Sequence, residues 1–210
     1  MGRVSAAAHR LRGVYAIVDA SGPDPIELTR AILNGGIRIV QYRAKAEFNS
    51  RHAHAMRELT RAVDALFILN DHWRAVAELD ADGAHLGPDD AHADDLPAIR
   101  TELRGRILGL SCGTEAEARA AAEAAADYIG VGCVYSTRSK SDAGEPIGIP
   151  GLKRVAAASA LPVAAIGGIT MKNLPEIVAS GVAMAAMLSA LSSGDDPAAA
   201  ARALVLAWNR

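Results

Sequence analysis

Eight short runs rich in Val, Ile, Leu and Ala recur along the chain, and a longer, largely Ala-rich amphipathic stretch follows each. The runs are Val14 to Asp19, Ile39 to Arg43, Leu66 to Asp71, Gly83 to Gly87, Ile107 to Cys112, Tyr128 to Gly132, Pro162 to Gly168 and Ala183 to Leu188. Strands of this continuous apolar kind are buried on both faces, as in a parallel sheet covered by helices. Eight of them, with eight intervening or closing helices, predict an α/β chain closed into a (β/α)8 barrel. An open doubly wound sheet uses the same alternation, and length does not separate the two. No linker, charge block or low-complexity tail interrupts residues 1–210, so a single domain is expected.

Helix punctuation supports the count. The segment after the first run opens at Ser21-Gly22-Pro23 and stops at Asn34-Gly35-Gly36, while Thr114 with Glu117 three residues on reads as a capping box. Ser192 to Pro197 reads as the turn into the last helix. Half the residues are hydrophobic yet only 4% are aromatic, so small aliphatic side chains must fill the core. With 22 Lys and Arg against 24 Asp and Glu, the net charge of -2 supplies no global field for nucleic acid or an anionic membrane. Any anion site must be local. No apolar run approaches the ~18 to 20 residues of a membrane span, and Arg3, His9, Arg10 and Arg12 break the N-terminal stretch too early for a signal peptide; a cytoplasmic protein is expected. Cys112 and Cys133 lie far apart in apolar segments and read as buried reduced thiols without a chemical role. His52 and His54 read as surface side chains, and His85 as part of the barrel wall.

In a barrel the chemistry gathers at the C-terminal ends of the strands. After the second run, alternation puts Gln41, Arg43 and Lys45 on one side, an amide and two cations aimed at the mouth. The third run ends in Asn70-Asp71, and the fourth leads to Asp90. Two carboxylates on neighbouring strands can share a hard cation such as Mg2+, although Asp/Gly/Asn clusters also serve as ordinary turn chemistry. The sixth run leads into Thr137, Ser139 and Lys140 on a Gly/Pro-bearing loop, which suits either a phosphate-closing lid or an exposed polar loop. Gly167 and Gly168 after the seventh run, and Leu188-Ser189 after the eighth, occupy the loops through which many barrels bind phosphate with backbone N–H groups. A P-loop, a serine-nucleophile elbow and zinc-ligand spacing are all missing from the sequence, so hydride-transfer and hydrolase readings lack support.

Gln41-x-Arg43-x-Lys45, Asn70-Asp71, Gly83-x-His85-x-Gly87-x-x-Asp90, Gly109-x-Ser111, Thr137-x-Ser139-Lys140, Ile166-Gly167-Gly168-Ile169 and Ser189 together resemble the thiamine-phosphate synthase family, in order from about Val14 to Leu191. The resemblance implies a TIM barrel that joins a hydroxymethylpyrimidine diphosphate to a thiazole phosphate, releases pyrophosphate and uses Mg2+. It implies that Gln41 and Asn70 hold the pyrimidine, that Arg43, Lys45, Ser111 and Lys140 surround the pyrophosphate, and that Asp71 and Asp90 bind Mg2+. Thr137, Ser139, Gly167, Gly168, Leu188 and Ser189 would receive the thiazole phosphate. The implied partners are these small molecules, with a homo-oligomer admitted. The chain departs from the family pattern at Pro88, Ser136 and Ala183-Met184, where a glutamine, a proline and an Asp-Gly pair are common. A thiazole tautomerase is a similar barrel, but it tends to lack the second aspartate and to carry a histidine where Gly113 stands here. A barrel that binds a phosphorylated ligand without turning it over is the third reading.

Overall fold

The computed structural model describes residues 8–87, 96–137, 139 and 144–210. Eight strands, β1 Gly13–Asp19, β2 Ile39–Arg43, β3 Leu66–Asn70, β4 Gly83–Leu86, β5 Ile107–Cys112, β6 Tyr128–Val131, β7 Val163–Ile166 and β8 Met184–Met187, follow one another around a closed barrel. Every neighbouring pair is parallel, and β8 returns to β1, with Gly13 opposite Met184 and Ala16 opposite Met187. Closure excludes the open doubly wound sheet. The expected runs Ile39 to Arg43 and Ile107 to Cys112 coincide with strands, Val14 to Asp19 begins one residue inside β1, and the other five extend one or two residues beyond one or both ends of the ladder. Beyond the C-terminal ends, Asp71, Gly87, Gly132, Gly167, Gly168 and Leu188 leave the sheet to line the mouth.

The helices are α1 Pro25–Asn34, α2 Ser50–Ala62, α3 Leu96–Glu102, α4 Glu115–Glu123, α5 Gly148–Ala157, α6 Leu174–Ala179, α7 Ser189–Ser192 and α8 Pro197–Trp208. The start expected for α1 at Ser21-Gly22-Pro23 is corrected by a few residues. Asp24 is the cap, accepting from the N–H groups of Ile26 at 2.8 Å and Glu27 at 3.0 Å, with Pro25 at the first helical position. The stop at Asn34 is as read, and the capping box of Thr114 and Glu117 is formed in full. The turn before α8 closes on Asp196, which caps Ala199 N–H at 2.8 Å.

The expectation of a helix after every strand is also corrected. Between β3 and β4 the chain makes only a 3-10 turn, Trp73–Ala75, before reaching Ala81. This connection is short, yet it buries Trp73, Val76 and Leu79 against the barrel wall, covering the sheet without a full helix. Eight helices still appear among the described residues because α7 is an extra short one after β8.

Alternation along the strands divides the core in two. On β1, Val14, Ala16 and Val18 face outward into the layer beneath the helices, while Tyr15 and Ile17 face into the barrel. The inner floor is packed by Leu11, Ile39, Leu66, Ile107 and Met184. Burying a Leu- or Ile-sized side chain stabilises by ~1.5 to 3 kcal/mol, so this floor is a closed plug, not a channel. Met184, which departs from the family pattern, is fully buried in it.

Candidate active site

Above the floor, at the C-terminal ends of the strands, lies a cavity of about 330 Å³. Gln41, Arg43, Lys45, Asn70, Asp71, Ser111, Thr137, Ser139, Gly167, Gly168, Leu188 and Ser189 all line it. Twelve of the fourteen residues singled out in the sequence are therefore brought together; Asp90 and Lys140 lie outside the described residues.

The basic side holds its cations by ion pairs. Arg43 at the end of β2 pairs with Asp19 at the end of β1, and the strand register sets these two residues directly opposite. Ser21 donates to the same carboxylate from its hydroxyl at 2.5 Å and its amide at 2.9 Å. Burial opposes ionisation of Asp19, but the Ser21 hydrogen bonds and the Arg43 guanidinium outweigh it and hold the carboxyl below its ordinary range. Lys45 Nζ lies 2.5 Å from Asp71 Oδ2, which also accepts from the Asn70 amide at 2.5 Å, while Gly87 N–H approaches Asp71 Oδ1 at 3.4 Å. Asp71 itself has φ of 64°, a left-handed conformation in which the turn after β3 swings its carboxylate over the mouth. A hard carboxylate oxygen in this position fits a magnesium ligand, and Mg2+ takes only one or two protein carboxylates. Among the described residues no group of three or more His, Cys, Asp or Glu side chains gathers to hold a metal.

The opposite side is built from backbone. Gly167 and Gly168 have φ of 100° and 62°, and a Cβ on Gly168 would sit 2.4 Å from the Ser136 carbonyl oxygen, so only glycine lets β7 turn here. Ser189 opens the short helix α7, whose first N–H groups have no partner within the helix. Thr137 Oγ1 accepts from Ser139 N–H at 3.2 Å, which ties the two hydroxyl residues into one turn.

Four polar lining residues escaped the sequence reading, Tyr15, Tyr128, His85 and Glu117, as did Asp19, which pairs with the lining residue Arg43. His85 faces the cavity rather than the wall, because it shares the inward phase of β4 and Gly130 opposite leaves room for its ring. Tyr15 and Tyr128 stand on inward positions of β1 and β6, fully buried, and burial pushes both phenols above their ordinary value. Strand phase carried the signal, since a tyrosine at the position that alternation turns inward must find a polar partner inside the barrel. Glu117 accepts from Gly113 N–H at 2.6 Å and from Thr114 N–H at 3.0 Å, so the capping box forms part of the cavity rim. Cys112 and Cys133 are free and buried; burial and the nearby Glu117 push the Cys112 thiol up to about 12, which keeps it neutral.

A closed barrel with cations on one side of its mouth and glycine-rich turns on the other places the chain among the (β/α)8-barrel proteins. Residues 14–191 match the family model described as thiamine monophosphate synthase, and the chain belongs to that family. Thiamine-phosphate synthase from Archaeoglobus fulgidus is 42% identical over 91% of this chain and 91% of its own length. The corresponding protein from Moorella thermoacetica is 42% identical over 87% of this chain and 88% of its own. In three dimensions the chain superposes on a thiamine phosphate pyrophosphorylase from Pyrococcus furiosus with a TM-score of 0.86 and 32% identity, covering 95% and 96% of the two chains. No helix among the described residues is long and apolar enough to cross a membrane.

Proposed function

We propose that this chain, acting as one domain over residues 1–210 in the cytoplasm, couples hydroxymethylpyrimidine diphosphate to thiazole phosphate, giving thiamine phosphate and pyrophosphate. The observation that carries the reading is a cavity at the mouth whose walls differ in kind, basic side chains on one side and glycine-rich backbone turns on the other. Such a cavity suits two phosphorylated substrates side by side.

The carbon–oxygen bond to the diphosphate breaks and its electron pair leaves with the diphosphate, so the pyrimidinylmethyl carbon becomes cationic. Negative charge grows on the leaving group, where Arg43, Lys45, Ser111 and Lys140 would meet it. Asp71 and Asp90 would hold Mg2+, which when bound neutralises diphosphate charge as a Lewis acid. Gln41 and Asn70 would orient the pyrimidine by hydrogen bonds. Thr137, Ser139, Gly167, Gly168, Leu188 and Ser189 would anchor the thiazole phosphate so that the ring nitrogen sits ~3 to 3.5 Å from the methylene carbon. That nitrogen brings its own lone pair, so the new carbon–nitrogen bond needs no activated nucleophile from the protein. The rarity of acid/base pairs in the mouth accords with this chemistry.

The test is incubation of purified protein with both phosphorylated substrates and Mg2+, read by mass spectrometry. Thiamine phosphate and pyrophosphate in equal amounts are expected. Saturable binding of thiazole phosphate with no product would sink the reading in favour of a non-catalytic barrel, and isomerisation of the thiazole carboxylate phosphate alone would favour a tautomerase.

A further inference from the structure

A chain of hydrogen bonds runs across the barrel along the cavity lining, from Gln41 to Ser111. Gln41 Nε2 donates to the Tyr15 hydroxyl at 2.7 Å, the Tyr15 and Tyr128 hydroxyls meet at 2.9 Å, the Tyr128 hydroxyl lies 3.0 Å from His85 Nδ1, and His85 Nε2 lies 3.0 Å from Ser111 Oγ. These residues come from β2, β1, β6, β4 and β5. Room for them is cut by glycine. A Cβ on Gly109 would lie 2.2 Å from the Tyr128 ring, and one on Gly130 would lie 3.0 Å from the His85 ring.

The first donor sets the direction of all the others. An amide N–H can only donate, so Tyr15 accepts from Gln41. Tyr15 is 1% exposed, and the Tyr128 oxygen is the acceptor left for its proton. Tyr128 is buried completely, and having accepted from Tyr15 it must donate to His85 Nδ1. An imidazole whose Nδ1 accepts is neutral and carries its proton on Nε2, which donates to Ser111 Oγ. The Ser111 hydroxyl proton is then directed away from His85, into the cavity that Ser111 lines.

We propose that Tyr15, Tyr128 and His85 are positioning residues whose chain, set in direction by the Gln41 amide, turns the Ser111 proton toward the departing diphosphate. The inference rests on the proposed activity only for the ligand it names; the polarity of the chain belongs to the resting protein. Each link fixes the next: with the Gln41 amide N–H on Tyr15, the histidine has one tautomer and the serine hydroxyl proton is turned away from the imidazole. Preorganised in this way, the serine donor needs no reorientation as charge develops on the leaving group.

Two measurements decide it. Nitrogen NMR of histidine-labelled protein, with the His85 signal identified among six histidines by its loss in His85→Gln, is expected to show the neutral Nε2–H form in the resting protein. The Nδ1–H form or an imidazolium at His85 would overturn the proposal. Tyr128→Phe is expected to lower kcat about tenfold, the scale of one charge-assisted hydrogen bond, and to leave KM for thiazole phosphate unchanged. In a Ser111→Ala background the same change is expected to have no further effect, because Tyr128 acts through Ser111. A Tyr128→Phe protein with parental kcat, or with an effect that simply adds to Ser111→Ala, would defeat it. If Tyr128→Phe does not fold, His85→Ala enters the same cycle with the same expectation, because His85 bonds Ser111 directly. Should the parent protein make no thiamine phosphate, the activity reading fails, while the His85 tautomer still decides the chain.

Discussion

Asp71 carries several demands at once: it accepts from Asn70, pairs with Lys45, and holds a left-handed backbone angle at the end of β3. As a proposed magnesium ligand it should lose most from a change that keeps its shape and removes its charge. Asp71→Asn is expected to raise the Mg2+ concentration for half-maximal activity at least about tenfold, the scale reached when even an outer partner of a metal ligand is lost. A magnesium titration of initial rates with the same midpoint as the parent would remove Asp71 from the metal site. Asp19 makes a different kind of statement. Its carboxyl pKa lies below the ordinary value in the folded protein, so between the two values the unfolded chain binds more protons and stability rises with pH. Its contribution is complete above the ordinary carboxylate value of ~3.9 and disappears as pH falls through the lowered one. Thermal melting of Asp19→Asn should therefore show a deficit at neutral pH that closes in acid; a deficit independent of pH would contradict the pairing with Arg43. Gln41, Arg43 and Lys45 were legible because two-residue alternation and position at a strand end both point to the mouth. Asp19 was not, since a lone acidic residue ending an apolar run looks the same whether it caps a turn or holds an arginine across the strand gap.

Among elements, legibility followed the strength of the local signal. The capping box of α4 and the stop of α1 depend on residues within one turn of each other, and both stand where the sequence put them. The start of α1 slipped because Ser21, Pro23, Asp24 and Pro25 are all competent start residues, and only the fold decides that Asp24 receives the two N–H groups. The missing helix between β3 and β4 was illegible for a related reason, since Trp73, Val76 and Leu79 have helical spacing yet are buried by a 3-10 turn and the bends after it. The turn after β7 offers a sharper test. Gly168→Ala forces a Cβ to within 2.4 Å of a backbone carbonyl at a φ of 62°, so a stability loss of about 1 to 3 kcal/mol is expected from strain at such an angle. Because that turn is the proposed thiazole-phosphate wall, KM for thiazole phosphate should rise while binding of the pyrimidine diphosphate stays as in the parent. Calorimetric titration of each substrate separates the two, and equal weakening of both would show that the turn does not serve one substrate.

For the whole molecule, the barrel separates the groups that stabilise it from those that react: the inner floor is apolar and closed, and the polar chain and cavity sit above it. Met184 tests that separation. It stands where the family pattern commonly has the glycine of an Asp-Gly pair, and in this chain it is fully buried between Gly13 of β1 and Ala164 of β7 in the ladder, below the residues that line the cavity. Its side chain belongs to the buried apolar cluster of the floor with Leu11, Ile39, Leu66 and Ile107, and Met184 is not among the residues that line the cavity. Met184→Ala would open a cavity there and is expected to cost about 2 to 5 kcal/mol of unfolding free energy, the range for truncating a buried Met, Leu or Ile. The floor is shared by strands from all around the ring, so the loss should appear as one cooperative transition at a lower urea midpoint with an unchanged slope. Below that midpoint kcat and both KM values should match the parent. A fall in kcat at full folding would mean that the floor also sets the height of Tyr15 and Tyr128 above it, and the division between a supporting base and a reacting mouth would have to be given up.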